Sequence, residues 1–290
     1  MTQSTDRGAP PARHITTRSV VAVRGQVLEV RSDRIVGEAP LEIRAAGPGQ
    51  EPVAVAVTMR TPGHEAELAV GFLRTEGLIE GPEVASWEAG DPVTLSQPDD
   101  TIVVRLSVPF DDSAVAERHF VATASCGICG KASIDEIALR CETLPEGPTV
   151  ARAVIIALPD LLRAAQRAFD ETGGLHAAAL FSPRGELIAI REDVGRHNAL
   201  DKLVGSQLLA GELPLHDRIV MVSGRVSFEI VQKAAVAGVP IVAAVSAPSD
   251  LAIETAERLG VTLIGFLRGD GFNVYTHDRR IELRDLTGWG

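Results

Sequence analysis

Residues 218–267 read RIVMVSGRVSFEIVQKAAVAGVPIVAAVSAPSDLAIETAERLGVTLIGFL, and their rhythm decides the fold. Short, β-branched apolar runs at 218–222, 241–245 and 261–267 alternate with helical periods at 227–237 and 250–259. The runs predict strands and the periods predict helices. Strands joined by helices of this length pair in parallel through right-handed crossovers. The expectation is an α/β domain with a mostly parallel sheet over residues 151–290.

That topology has a geometric consequence. Open α/β sheets bind ligands beyond the carboxyl ends of their strands. Three loops fall at that edge: Ser223-Gly224-Arg225, then Ser246-Ala247-Pro248-Ser249, then Arg268-Gly269-Asp270-Gly271. Each contains small residues that admit close backbone approach. Two contain an arginine, and the first two open helices whose N-terminal amides favour anions. Tight turns alone would account for the small residues of any one loop. Three such loops on one edge point to a phosphate-bearing ligand.

Working back from this core, residues 159–172 predict an amphipathic helix closed by Gly173-Gly174. Residues 176–181 and 187–191 flank Ser182-Pro183-Arg184-Gly185-Glu186 as a hairpin, and Asn198, with Asp201 three residues on, predicts a helix start running to about residue 210. Residues 20–150 have a different texture. Short apolar runs at 20–23, 26–30, 41–43, 53–59 and 101–108 predict strands, and Leu68, Phe72 and Leu73 mark one helix over 65–75. Residues 91–100 predict an exposed loop, and residues 1–19 a disordered leader.

Composition excludes several classes. The 290 residues are 45% hydrophobic and 23% charged, which suits a soluble globular protein with a sizeable core. Lys and Arg total 28 against 39 Asp and Glu, a net charge of −11, which disfavours nucleic acid and anionic membranes as partners. The polar N-terminus lacks a signal-peptide core, and the most apolar stretch, 234–247, is broken by Gly238 and Pro240. Three cysteines are too few for a disulfide scaffold. The expected location is the cytoplasm.

Two of those cysteines form the chemical motif. A strand-like run at 120–124 delivers Ser125-Cys126-Gly127-Ile128-Cys129-Gly130-Lys131, and Ser133 with Glu136 then has the spacing of a helix-starting capping box. A helix N-terminus and an adjacent lysine both stabilise thiolate, the form that attacks sulfur. Cys141 reads as a small buried hydrophobe. A structural zinc site would need four ligands, and Cys141 with scattered histidines supplies them poorly. A thioredoxin-like pair would sit in an early βαβ unit, which is absent here. A zinc deaminase would pair H-x-E with C-x-x-C. His64-Glu65-Ala66-Glu67 lies far upstream, and Ser125 stands where proline is expected. His64 reads instead as a first-turn helix residue.

In order along the chain stand Glu38-Ala39-Pro40-Leu41, Arg60-Thr61-Pro62-Gly63-His64-Glu65, Cys126-Gly127-Ile128-Cys129-Gly130-Lys131 and Gly173-Gly174-Leu175-His176-Ala177-Ala178. After them come Glu192-Asp193-Val194-Gly195-Arg196-His197-Asn198-Ala199-Leu200-Asp201-Lys202, Ser223-Gly224-Arg225, and Phe266 with Arg268. This series, over roughly residues 30–277, resembles the FdhD family of formate dehydrogenase accessory sulfur carriers. The resemblance implies a cytidine-deaminase-like α/β fold in the second half, without the deaminase zinc and with no intrinsic metal.

It also implies a sulfurtransferase role. Sulfur arrives from a cysteine desulfurase as a persulfide and passes to the molybdenum (or tungsten) of a bis(molybdopterin guanine dinucleotide) cofactor. That cofactor, bound as substrate, is then inserted into formate dehydrogenase. Cys126 is the expected persulfide carrier and Cys129 its helper. Phe266, Leu267, Arg268, Gly269, Asp270 and Gly271, with Ser223, Gly224 and Arg225, are the expected cofactor-binding residues. His176, Arg196, His197 and Lys202 are candidates either for that pocket or for structural roles, and Glu192-Asp193 beside Arg196 suggests a local ion-pair network. The partners expected are the desulfurase and formate dehydrogenase, with a homodimer left open. The competing class is a cofactor-binding chaperone that transfers no covalent sulfur and has no need of Cys126.

Overall fold

The computed structural model describes residues 15–89, 100–113, 115 and 143–283. The strand at 120–124, the cysteine loop with Lys131, the helix from Ser133 and Cys141, and positions 91–99 of the expected loop lie outside the described residues.

The stretch 218–267 folds as its rhythm predicts. Strands β10 (Ile219–Val222), β11 (Ile241–Ala244) and β12 (Thr262–Arg268) alternate with helices α5 (Phe228–Val236) and α6 (Asp250–Leu259). Both strand pairs are parallel. The parallel part is narrower than the sequence implies, because hairpins extend the sheet on each side. On one side β8 (His176–Phe181) runs antiparallel to β10 and folds back as β9 (Leu187–Asp193). On the other, the chain reverses after Arg268 and β13 (Gly271–Thr276) returns antiparallel to β12. The six-stranded order is β13-β12-β11-β10-β8-β9.

Alternation along the strands fills two cores, because successive side chains leave a strand on opposite faces. Val220, Val222, Val242, Ala244 and Leu263 face α5, α6 and α4 (Arg196–Leu209), meeting Ile230, Val231, Ala256 and Leu203. Ile219, Met221, Ile241, Ala243 and Ile264 face α2 (Arg152–Ala165), meeting Ile155, Leu158 and Leu162.

Two helix boundaries differ from expectation. The helix expected over 159–172 is two helices: α2 begins at Arg152 with Pro159 inside it, the chain breaks at Gln166, and α3 (Arg167–Thr172) closes on left-handed Gly173. The local proline signal is overridden by the buried stripe Ile155, Leu158, Leu162. The helix expected from Asn198 begins at Arg196, since Asn198 is held by tertiary bonds described below.

The first half supplies a smaller sheet. Strands β3 (Ala39–Ala46), β4 (Val53–Arg60) and β6 (Thr101–Leu106) follow the expected runs, and β5 (Val84–Ala89) joins them in the order β4-β3-β6-β5. β5 escaped the sequence reading because its outward residues are mostly exposed and carry no apolar alternation. Helix α1 (Glu65–Thr75) covers the sheet, burying Leu68 and Leu73 against Leu41, Ile43 and Val104. A two-residue parallel pair, β7 (Val150–Ala151) with β14 (Ile281–Glu282), lies beside α2.

Of the leader expected over residues 1–19, residues 1–14 lie outside the described residues, and 15–19 are ordered. Residues 15–19 belong to β1 (Ile15–Arg24), which pairs antiparallel with β2 (Val27–Val36) from Ile15↔Val36 to Arg24↔Val27. Cross-strand pairing gives these polar residues an order that their composition hides. No helix among the described residues is long and apolar enough to cross a membrane.

Candidate functional site

Each parallel strand ends at the same edge of the sheet, and the expected loops meet there. Val226, just after Arg225, donates its N–H to the Ala247 carbonyl at 3.2 Å and accepts from the Ser249 N–H at 2.9 Å. The Phe266 N–H donates to the Ser246 carbonyl at 3.1 Å. The Ser223 hydroxyl accepts from the Ala177 N–H at 2.9 Å, fastening the first loop to β8. Backbone and short side chains therefore zip all three loops into one surface. Ser249 caps α6 by accepting from the Ala252 N–H.

The turn at residues 266–271 has its own conformation. Phe266 sits at φ 52°, a left-handed backbone that a bulky residue adopts only under constraint. Its ring is part-exposed, and the Arg268 guanidinium lies 5.7 Å from the ring centroid. Gly269, at φ 58°, makes the turn, and Arg152 at the start of α2 donates to the Asp270 carbonyl at 3.0 Å. An open depression is lined by Phe266, Arg268, Gly271, Phe272 and Asn273. Of the expected binding residues, Leu267 is fully buried in the core below the turn, while Arg225, Arg268, Gly269, Asp270 and Gly271 are exposed.

The long motif at 192–202 divides into two roles. Asp193, fully buried, pairs with Lys202 at 2.6 Å and accepts from the Thr61 N–H at 3.0 Å. Lys202 also donates to the Thr61 carbonyl, and the Thr61 hydroxyl oxygen accepts from the Val194 N–H. Asn198 donates to Met59 and Asp193 and meets the Thr58 hydroxyl. Burial pulls the Lys202 amine below the ordinary lysine value, with Asp193 opposing. These residues bolt the α4 N-terminus to β4 from the other half of the chain, so Lys202 is structural. The partner of Asp193 in the ion pair is Lys202 rather than the neighbouring Arg196. Glu192 accepts instead from the Ala168 and Phe169 amides of α3, and burial raises its carboxyl.

The remaining members face the edge. His176 opens β8, with Gly224 packed so closely that a Cβ there would lie 3.1 Å from Nδ1. His197 Nε2 lies 3.2 Å from the Ser227 hydroxyl and 2.9 Å from Glu229. Its hydrogen bond holds the Glu229 carboxyl below the usual range, against burial. Ser227 and Glu229 escaped the sequence reading as site neighbours because they lie 30 and 32 positions from His197. Their only local signal was a helix start.

His64 is the residue preceding α1, at φ 60°. Its Nδ1 is 3.0 Å from Glu67, which also receives two bonds from Arg191 at 2.5 and 2.7 Å. His64 and Glu67, three positions apart rather than at the H-x-E spacing, are thus engaged in a structural cluster that links α1 to β9.

The fold and the edge define a mixed α/β protein with two exposed arginines, Arg225 and Arg268, on the loops that end its parallel strands. Residues 36–282 match the model of the FdhD/NarQ family, and the chain belongs to that family. A sulfur carrier protein FdhD from Streptomyces avermitilis is 48% identical over 281 residues, covering 94% of this chain and 98% of its own. One of the same name from Sulfurisphaera tokodaii is 44% identical, covering 90% and 97%. A crystal structure from Desulfotalea psychrophila, described as a formate dehydrogenase accessory protein, superposes with a TM-score of 0.70 at 24% identity, covering 92% of this chain and 99% of that one.

Proposed function

We propose that this chain is a sulfur carrier that supports formate dehydrogenase, acting as a sulfurtransferase in the cytoplasm. The observation that carries the reading is the family match over residues 36–282, which takes in the cysteine motif and all three edge loops together. In this reading the Cys126 thiolate attacks the terminal sulfur of a desulfurase persulfide. The desulfurase cysteine leaves as thiolate and Cys126 becomes the persulfide, with no net oxidation. Cys129 is the helper. The acceptor is the metal of bis(molybdopterin guanine dinucleotide), a substrate that the protein binds and hands on.

That cofactor is an elongated polyanion. The edge offers Arg268 and Arg225, loop amides, and the Phe266 ring beside an open depression. Its guanine end is assigned to residues 266–271, next to Ser223, Gly224 and Arg225.

Intact-mass measurement after incubation with a cysteine desulfurase and cysteine tests the carrier step. One added sulfur atom is expected, lost in Cys126→Ala. Full formate dehydrogenase activation by Cys126→Ala would favour the chaperone class instead. GDP serves as a partial mimic of the bound cofactor. It should bind, weaken with salt, and lose about tenfold in affinity in Arg268→Ala or Arg225→Ala. Calorimetry showing affinity indifferent to both arginines removes the assigned edge.

A further inference from the structure

Beyond the turn at 266–271, the same edge carries a second group of basic side chains. It lies at β10, β8 and the α4 N-terminus, two strand positions along the sheet from Arg268, a span of about 10 Å. His176 enters from β8, Arg196 and His197 from the first turn of α4, and Arg225 from the loop before α5.

The acids that face this group are already engaged. Asp193, directly across the β8–β9 ladder from His176, is held by Lys202 and by the Thr61 amide. Glu229, from α5, is held by His197. Arg196 and Arg225 form no hydrogen bond or ion pair among the described residues, and Arg196 Nε is buried. His176 is half-buried with its ring against Gly224. Burial, then Arg196, His197 and Arg225, push it below the ordinary histidine range, with Asp193 acting the other way. The outcome is an imidazole whose protonation is disfavoured, beside two guanidinium groups that have no acid partner among the described residues, where two helices, α4 and α5, also open their N-termini.

We propose that His176, Arg196, His197 and Arg225 form a binding site for a doubly charged oxyanion, a phosphate group or its mimic sulfate, and that the anion binds together with one proton on His176. The inference deepens the edge-binding reading above, on which it rests, by placing a phosphate of the bound polyanion at this end. Two arginines supply bidentate donors matched to tetrahedral oxygens. Burial disfavours the His176 cation most and the neighbouring cations add to it; a dianion among these residues offsets that cationic field, so the proton, taken from solvent, and the anion each favour the other. The sign follows. Anion affinity is highest below the free-histidine midpoint and falls as pH rises through the midpoint of the anion-bound form.

Histidine ring NMR on the full chain tests this, titrated in sodium sulfate and in sodium chloride at equal ionic strength. Sulfate carries no titrating proton in this range, so any change belongs to the protein. The His176 midpoint should move upward in sulfate by about one pH unit, a tenfold gain in proton affinity. Arg196→Ala with Arg225→Ala should abolish the movement, and His176→Gln should remove the pH dependence of sulfate affinity. Identical His176 titrations in the two salts overturn the proposal, as does a sulfate shift that survives loss of both arginines. If His176→Gln fails to fold, the wild-type titration decides alone. GDP moving His176 as sulfate does identifies a nucleotide phosphate as occupant. Movement by sulfate without GDP identifies a free oxyanion, and both satisfy the proposal. Persulfide labelling of Cys126 on the same preparation does not pass through this site, so failure here and failure of the carrier reading are separable.

Discussion

Gly224 and Glu67 show how single residues constrain the edge. A methyl at Gly224 would press on the His176 ring at 3.1 Å from Nδ1 and 3.3 Å from Cε1. The ring must yield by a few tenths of an ångström, so Gly224→Ala should alter the His176 NMR shift while leaving the melting temperature nearly unchanged. Glu67 governs stability instead. Burial opposes its ionisation, but the two Arg191 bonds and His64 outweigh burial and hold its carboxyl at about 2, against an ordinary 4.5. A depressed carboxyl stabilises the fold above its unfolded value and loses that contribution as pH falls through the folded one. Glu67→Gln should therefore lose about 2 to 3 kcal/mol at pH 7. The gap from wild type should close between pH 4.5 and 2. A gap constant with pH in urea titrations would show that the loss is packing rather than charge.

At the scale of elements, α1 and α4 meet glycine to glycine. A Cβ at Gly71 would stand 1.9 Å from the Asp201 carbonyl oxygen, and one at Gly205 would stand 1.8 Å from that of Glu67. Both obstacles are backbone, so neither can rotate away. Gly71→Ala or Gly205→Ala should each destabilise by about 3 kcal/mol or more. Gly173→Ala should cost only about 1 kcal/mol, because Gly173 has open space and only its left-handed φ of 68° to protect. Chemical denaturation of the three variants ranks them directly. This close crossing was invisible in the sequence, where Gly71 and Gly205 sit in ordinary helical periods. What was legible was whatever short range decides: the span of α1, the alternation at 218–267 and the three edge loops. Long-range pairing hid the rest. Asp201 has the spacing of a capping partner for Asn198, yet it is buried with Thr75 and Lys233. The two-stranded β1–β2 arm begins inside residues that composition alone marks as disordered.

For the whole molecule, those long-range contacts join the parts that chain order separates. Lys233 of α5 donates to Asp201 of α4 at 2.9 Å and to Glu76, just past α1, at 2.8 Å, and Thr75 completes the cluster. Burial disfavours its ammonium, but the two carboxylates outweigh that and hold its pKa above the ordinary lysine value. Together with Asp193–Lys202–Thr61 and the glycine crossing, this buried cluster ties the small sheet to the large one through α1 and α4. Local opening of the small sheet would take Thr61 from Asp193 and Lys202, and Thr75 and Glu76 from Asp201 and Lys233, leaving buried charged groups with lost hydrogen bonds at about 1 to 3 kcal/mol each. The two sheets should accordingly unfold together. Native-state hydrogen exchange should give the amides of β3 and β6 the same opening free energy as those of β10 and β11. Lys233→Met, which takes the ammonium from buried Asp201, should lower both by about 3 to 5 kcal/mol in parallel. If the small sheet exchanges at a distinctly lower free energy, or if Lys233→Met lowers one sheet alone, the halves are separate folding units. The edge site would then rest on the second half by itself.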